Sequence, residues 1–189
     1  SHAATVAADT KLVSRRADGG FSRLTYLEAF ERVARLAHAL DRLALSSEAR
    51  VGTLAWNDHR HFELHYAIPC TGRICHTVNP KLFPEQVRFI INDAQDEALF
   101  IDPEFIPMME SLQPHLPTVR HWIALCPASE LPKSALPNLL AYESLLSREQ
   151  DTYDWPDLDE NRASNLCYTS GTTGDPKGVL GSHRSIVLQ

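Results

Sequence analysis

No stretch of this 189-residue chain comes near eighteen uninterrupted apolar residues, the run a helix needs to cross a bilayer. The first twenty residues contain charges with no apolar block behind them, so no secretory leader is legible there. Basic residues are scattered, with only Arg15 and Arg16 adjacent, and the formal net charge is −6. Without a basic stripe to neutralise phosphates, no nucleic-acid partner is expected. Cysteine is scarce: Cys70, Cys75, Cys126 and Cys167 show neither the CxxC pairing of a zinc site nor the density of a disulfide scaffold. They read as buried free thiols of a reducing compartment. Internal repeats and low-complexity tracts are also missing. These absences describe a soluble, cytoplasmic chain, and Ser1 in place of methionine reads as a tag remnant or the start of an excised piece.

With 43% hydrophobic residues, one compact domain, or one and a fraction, can bury roughly 70% of its unfolded surface. The periodicity alternates between helix and strand. Thr25-Tyr26-Leu27-Glu28 is a capping box that opens a helix with Leu27, Phe30, Val33, Ala34, Ala37 and Leu40 on one face, ending near Leu45. Strands are predicted over Val51 to Trp56, Ile74 to Val78, Leu99 to Ile101, His121 to Cys126 and Asn165 to Tyr168. Helices are predicted from His59 to Thr71, kinked or ended by Pro69, from Pro84 to Ala94, and over Pro103 to Leu112. The fold class expected is α/β, a mostly parallel sheet flanked by helices, with ligands outside the carboxyl ends of the strands. Six acidic and no basic residues lie between Glu149 and Glu160. That stretch reads as a hydrated linker, dividing a first α/β subdomain (1–148) from the start of a second (161–189).

The chemistry concentrates in Tyr168-Thr169-Ser170-Gly171-Thr172-Thr173-Gly174-Asp175-Pro176-Lys177-Gly178-Val179. Gly171, Gly174 and Gly178 are expected to take positive φ angles and let a ligand approach the backbone. The N–H groups of such a turn form an anion-binding concavity, extended by the hydroxyls of Thr169, Ser170, Thr172 and Thr173. Lys177 adds a flexible point charge able to follow a polyphosphate. Walker A spacing is not met, so a P-loop NTPase is not indicated.

The ordered string instead resembles the phosphate-binding signature of the adenylate-forming (AMP-dependent synthetase and ligase) superfamily. His76-Thr77-Val78-Asn79-Pro80-Lys81-Leu82-Phe83-Pro84-Glu85-Gln86, with Phe100-Ile101-Asp102-Pro103 and Leu116-Pro117-Thr118-Val119-Arg120-His121, is similar to segments early in medium- and long-chain fatty-acyl-CoA synthetases. The resemblance implies ATP, Mg2+ and CoA as co-substrates and cofactor, and a carboxylate, in the first instance a fatty acid, as substrate. The carboxylate would attack the α-phosphate of ATP, releasing pyrophosphate, and the CoA thiol would then displace AMP. It further implies phosphate contacts from Ser170, Gly171, Thr172, Thr173, Gly174 and Lys177, with Thr169 also at the phosphates and offering its hydroxyl on the magnesium side. Later motifs of the superfamily lie outside these residues. The chain is therefore expected to be the N-terminal part of a ligase, unable to complete adenylation alone and prone to self-association. The alternatives are a non-catalytic binding or assembly module on the same fold, or a ligase for aryl or short-chain acids.

Other residues are read as structural. His59, His61, Glu63 and His65 do not match the zincin spacing, His183 is read as packing locally at a helix start, and Trp56, Trp122 and Trp155 as core or rim aromatics rather than an acyl pocket.

Overall fold

Thr25 starts the first long helix as its side chain dictates. In the computed structural model, which describes residues 2–15, 19–169 and 175–188, the Thr25 hydroxyl accepts from Glu28 N at 3.1 Å and Glu28 reaches back to Thr25 N at 2.7 Å. Before this helix come a short helix α1 (His2–Val6) and an antiparallel pair, β1 (Lys11–Arg15) and β2 (Phe21–Thr25). These three elements have no counterpart in the sequence reading. Val13 and Phe21 are exposed, so the pair lacks the alternation that would reveal it.

Helix α2 (Tyr26–Arg42) is followed by β3 (Arg50–Leu54), α3 (His59–Cys70), β4 (Ile74–Val78), α4 (Pro84–Ala94) and β5 (Ala98–Ile101). A 3-10 turn over Pro103–Phe105 leads into α5 (Ile106–Leu112), then β6 (His121–Ala124), β7 (Leu140–Ala141) and α6 (Tyr142–Leu146). The chain ends its described course with β8 (Ala163–Thr169), β9 (Lys177–Ser182) and α7 (His183–Val187). Among the described residues no helix is long and apolar enough to cross a membrane.

The sheet has seven strands in the order β7-β6-β5-β3-β4-β8-β9, parallel from β7 through β8, with β9 antiparallel at the edge. This is the α/β class expected, with β7 and β9 added. The strands alternate cleanly. Ala98 and Phe100 face the cluster built with Val33, Leu36, Leu40, Leu64 and Ile68, while Leu99 and Ile101 face Val87, Ile90, Ile91, Met109 and Trp122. Helices thus cover both faces, as a parallel sheet requires. The α2 stripe is shifted from expectation: Leu27 is exposed, and Ala29, Leu36 and Ala39 are buried with Val33, Ala34, Ala37 and Leu40. Asp58 caps α3 through Arg60 N and His61 N, and the helix runs through Pro69 and stops one residue later. Pro84 stands at the first turn of α4, and Gln95 closes it in a left-handed conformation at φ 55°. Of the cysteines, Cys75 and Cys126 are buried, Cys167 is half-buried, and Cys70 is exposed, contrary to the uniform burial expected.

The acidic stretch has no regular structure, yet it is strapped to α2. Glu149 pairs with Arg42 at 2.7 Å, Asp151 with Arg35 at 3.7 Å, the Thr152 carbonyl meets His38 Nε2 at 2.8 Å, and the Tyr153 hydroxyl donates to Asp41 at 2.7 Å. Trp155 then packs on Phe30. Beyond it, β8 hydrogen-bonds to β4 within the same sheet.

One close approach sets the centre of the sheet. A Cβ on Gly52 would lie 2.9 Å from Asp96 Oδ2 and overlap the Leu99 side chain. Overpacking of this kind costs about 1–3 kcal/mol. Gly52→Ala is therefore expected to destabilise the chain by that amount, read as a lower urea unfolding midpoint; an unchanged midpoint would show that Leu99 and Asp96 yield freely.

Candidate functional site

Of the residues expected to bind phosphate, Thr169 and Lys177 lie on the β8–β9 hairpin. In β8, Ser164 is buried and donates to Gly181 O at 3.1 Å, and Leu166 enters the core. The register runs Leu166 to Leu180, Cys167 to Val179, Tyr168 to Gly178 and Thr169 to Lys177. Directly opposed residues project on the same face of a sheet, so the Thr169 and Lys177 side chains leave one face together at the hairpin mouth. Both are exposed. Ser170, Gly171, Thr172, Thr173 and Gly174 lie outside the described residues. Thr169 closes the carboxyl end of β8, where Thr77 and Val78 end the adjacent parallel strand β4. The Thr77 hydroxyl and the Cys167 thiol are 3.0 Å apart.

Gly178 departs from its expected role. It is not among the residues with positive φ; it sits in β9 with its Cα beneath the Tyr168 ring, where a Cβ would meet Tyr168 Cζ at 3.2 Å. Its smallness serves ring packing, not turn geometry. The ring also meets His76, with centroids 5.2 Å apart, and the hydroxyl donates to Asp93 Oδ2 at 2.6 Å. Burial and the adjacent Asp93 carboxylate raise the Tyr168 hydroxyl above its ordinary range. His76 Nδ1 in turn bonds Asp96 Oδ2 at 2.7 Å, both side chains being fully buried. Burial pushes the Asp96 carboxyl up against the opposing pull of His76. The sequence reading missed this cluster. Its one signal was Gly52, a lone glycine inside an apolar strand, which marks close approach.

His183 opens α7 at the far end of β9 from Lys177, roughly 20 Å along the strand at a strand's rise per residue. Its N–H bonds Arg162 O, while its Nε2 is buried without a partner. Burial first, and Arg162 second, lower its pKa. It lines an apolar cavity of about 480 Å3 with Phe30, Phe62, Tyr66, Cys70 and Trp155. Trp155 is thus a cavity wall, Trp122 is core, and Trp56 is exposed on the rim.

Along α3 the polar residues separate into two groups. Glu63 is buried against Arg32, 2.6 Å away, and accepts from the Tyr142 hydroxyl at 2.5 Å; Arg32 and Arg60 also hold Glu143. His61 bonds the Thr53 hydroxyl at 3.1 Å and lies 4.6 Å from the His65 ring. Among the described residues no group of three or more His, Cys, Asp or Glu could hold a metal ion.

With this geometry established, comparison with known proteins assigns a class. The chain belongs to the AMP-binding enzyme family, whose model matches residues 1–189. It is 46% identical over 187 residues to 3-methylmercaptopropionyl-CoA ligase of Ruegeria lacuscaerulensis, covering 99% of this chain and 35% of that protein. It is 43% identical to the medium-chain-fatty-acid–CoA ligase of Ectopseudomonas oleovorans, covering 99% of this chain and 34% of that one. The chain thus spans about a third of the length of the curated relatives it matches. In fold it is similar to the N-terminal domain of FACL13 from Mycobacterium tuberculosis, with a TM-score of 0.82 at 23% identity over 97% of this chain and 43% of that one. The anthranilate CoA ligase AuaEII gives a TM-score of 0.79 at 23% identity over 86% of this chain and 30% of that one.

Two groups near the strand ends titrate in opposite senses. Burial first, and His65 second, hold His61 down to about 4. Its contribution is present near neutral pH and lost as pH falls from 6.5 towards 4, because the unfolded chain takes up the proton first. Burial raises Asp102 to about 6, against the Trp56 N–H bond it accepts at 2.7 Å. Its contribution is present below pH 4 and lost as pH rises towards 6. Asp102→Asn keeps an oxygen for Trp56 N–H and removes the charge. At about 1.4 kcal/mol per pKa unit, reduced for solvent screening, it is expected to stabilise by about 1–2 kcal/mol at pH 7.5 and by nothing at pH 4. Thermal melts at both pH values read this; a variant less stable than wild type at pH 7.5 would contradict it.

Proposed function

We propose that this chain carries the ATP-phosphate site of an AMP-forming acyl-CoA ligase, acting on an aliphatic carboxylate. A medium-chain fatty acid is the first candidate and a thioether acid such as 3-methylmercaptopropionate the second. The reading rests above all on the opposition of Thr169 and Lys177 at the mouth of the hairpin, in a chain of the AMP-binding enzyme family. In this reading Lys177, with Ser170, Gly171, Thr172, Thr173 and Gly174, holds the β- and γ-phosphates and offsets the charge on departing pyrophosphate. Magnesium keeps much of its water and binds largely through phosphates. An exposed hydroxyl at Thr169 suits a metal that arrives with ATP. When bound it would supply Lewis-acid charge compensation at the phosphates; Thr169 would offer it a hydroxyl, Lys177 would neutralise phosphate charge, and CoA would receive the acyl group. We further propose that residues 161–189 open a second subdomain continuous with the sheet of residues 1–148, joined through the strap at 149–160, and that the protein works in the cytoplasm.

Carboxylate-dependent ATP–pyrophosphate exchange, run on the whole gene product that carries this sequence, tests the reading with acetate, benzoate, octanoate, palmitate and 3-methylmercaptopropionate. Exchange is expected with octanoate or the thioether acid, and Lys177→Ala is expected to slow it by about 10–100-fold. No exchange with any acid would move the function to a non-catalytic module.

Val179, Leu180, Ile186, Val187 and Leu188 are exposed along edge strand β9 and α7. An open apolar edge invites pairing, and we propose that the 189-residue chain self-associates there. Sedimentation velocity is expected to show a concentration-dependent shift that Leu180→Lys abolishes; a monomer at every concentration would refute it.

A further inference from the structure

Tyr168 is the last side chain before the hairpin mouth that is held from several directions. Its ring meets the His76 imidazole, 5.2 Å centroid to centroid and tilted by 53°, and its Cζ end lies close to Gly178 on the opposed strand. Its hydroxyl donates to Asp93 Oδ2 at 2.6 Å, on the last turn of α4. His76 cannot shift, because both it and its partner Asp96 are fully buried and Gly52 gives Asp96 its place against the sheet. Arg50 closes the same corner, Nε donating to Ala94 O at 2.5 Å. A ring held by His76, Gly178 and a hydroxyl bond at its tip fixes the backbone that carries it. That backbone is one residue before Thr169, opposite Gly178 and so one residue from Lys177. None of these contacts faces the hairpin mouth, since alternation sends Thr169 and Lys177 to the other side of the sheet.

We infer that Tyr168 is a positioning residue. Clamped by Asp93, His76 and Gly178, it sets the direction in which the chain leaves β8 and enters β9, and so holds the Thr169 and Lys177 pair in the geometry that binds a pyrophosphate group. This inference rests on the reading of the hairpin as the ATP-phosphate site. The clamp acts through the backbone, and Tyr168 itself touches no phosphate. Removing the hydroxyl bond while keeping the ring leaves packing intact, so affinity should change where stability does not.

The experiment is isothermal titration of this chain with inorganic pyrophosphate in the presence of magnesium, with thermal melting in parallel. The variants are Tyr168→Phe, Asp93→Ala, which removes the acceptor, their combination, and Gly178→Ala, whose Cβ would press on the ring at Cζ. Each single change is expected to weaken pyrophosphate about three- to tenfold, and the double change no more than either, since both break one bond. Melting temperatures of Tyr168→Phe and Asp93→Ala should stay within about 2 °C of wild type. Should Gly178→Ala fail to fold, the Tyr168 and Asp93 pair carries the test alone. Wild type that binds, with variants binding equally well, would overturn the inference and leave the site reading standing. The inference fails in the same way if the two single losses add, or if affinity falls only in step with melting temperature. Wild type that binds no pyrophosphate would sink the site reading and the inference together.

Discussion

The His76–Asp96 pair is the contact around which the sheet is organised. Two polar side chains without exposed surface cost several kcal/mol if left apart, so each element that brings them together is constrained by the other. Asp96 follows directly on α4, and its approach requires a strand with no side chain at position 52. His76 requires its ring to lie on the α4 face of β4, which fixes the pleat of that strand and sends Cys75 to the opposite face. The aromatic that covers His76 is Tyr168, so the central pair also fixes where β8 docks. One buried hydrogen bond therefore links the middle of the sheet to the edge that bears the hairpin.

The opposite face is ordered by charge rather than by close approach. Arg32 from α2 spans Glu63 of α3 and Glu143 of α6, with Tyr142 completing the buried carboxylate. Burial raises the Glu63 carboxyl, and the guanidinium opposes that rise. Breaking such a pair from one side is more costly than never having built it, which ties three helices into one unit. The acidic strap extends the same logic outward, where Arg35 meets the exposed Asp151 and the exposed Arg42 meets Glu149, whose side chain is buried. Exposed pairs of that kind contribute little singly. What holds the strap down is their number together with the Trp155 ring on Phe30.

Legibility in the sequence follows the same physical divide. Local signals that act within one turn were readable: the Thr25–Glu28 box and Pro84 at a helix start both stand in the structure. Parallel strands rich in apolar residues, such as Ala98–Ile101, announce themselves by burial on both faces. Elements stabilised by partners distant in sequence did not. β7 has two residues, and β9 contains two glycines that carry no pattern of their own. The string around residues 168–179 pointed to the family, yet Gly178 was given a turn role because its neighbour across the strand is invisible from spacing. The strap was legible as acidic and illegible as docked, since its basic partners sit more than a hundred residues earlier.

An antiparallel edge strand is a suitable base for a phosphate-binding loop, for a reason that follows from hydrogen-bond geometry. Parallel neighbours are joined only through long crossovers, so a loop leaving a parallel strand is anchored at one end by that strand and at the other by a distant helix. In the β8–β9 hairpin both ends are anchored by the same ladder, with Thr169 and Lys177 as opposed partners. The backbone positions of Thr169 and Lys177 are therefore held by one ladder. In the proposed reading that ladder is the fixed base of the phosphate site, and β9 supplies it while leaving an apolar edge, Val179 and Leu180, exposed. The clamp on Tyr168 is the inward continuation of that base, reaching through His76 to the one bond in the sheet that has no room to move.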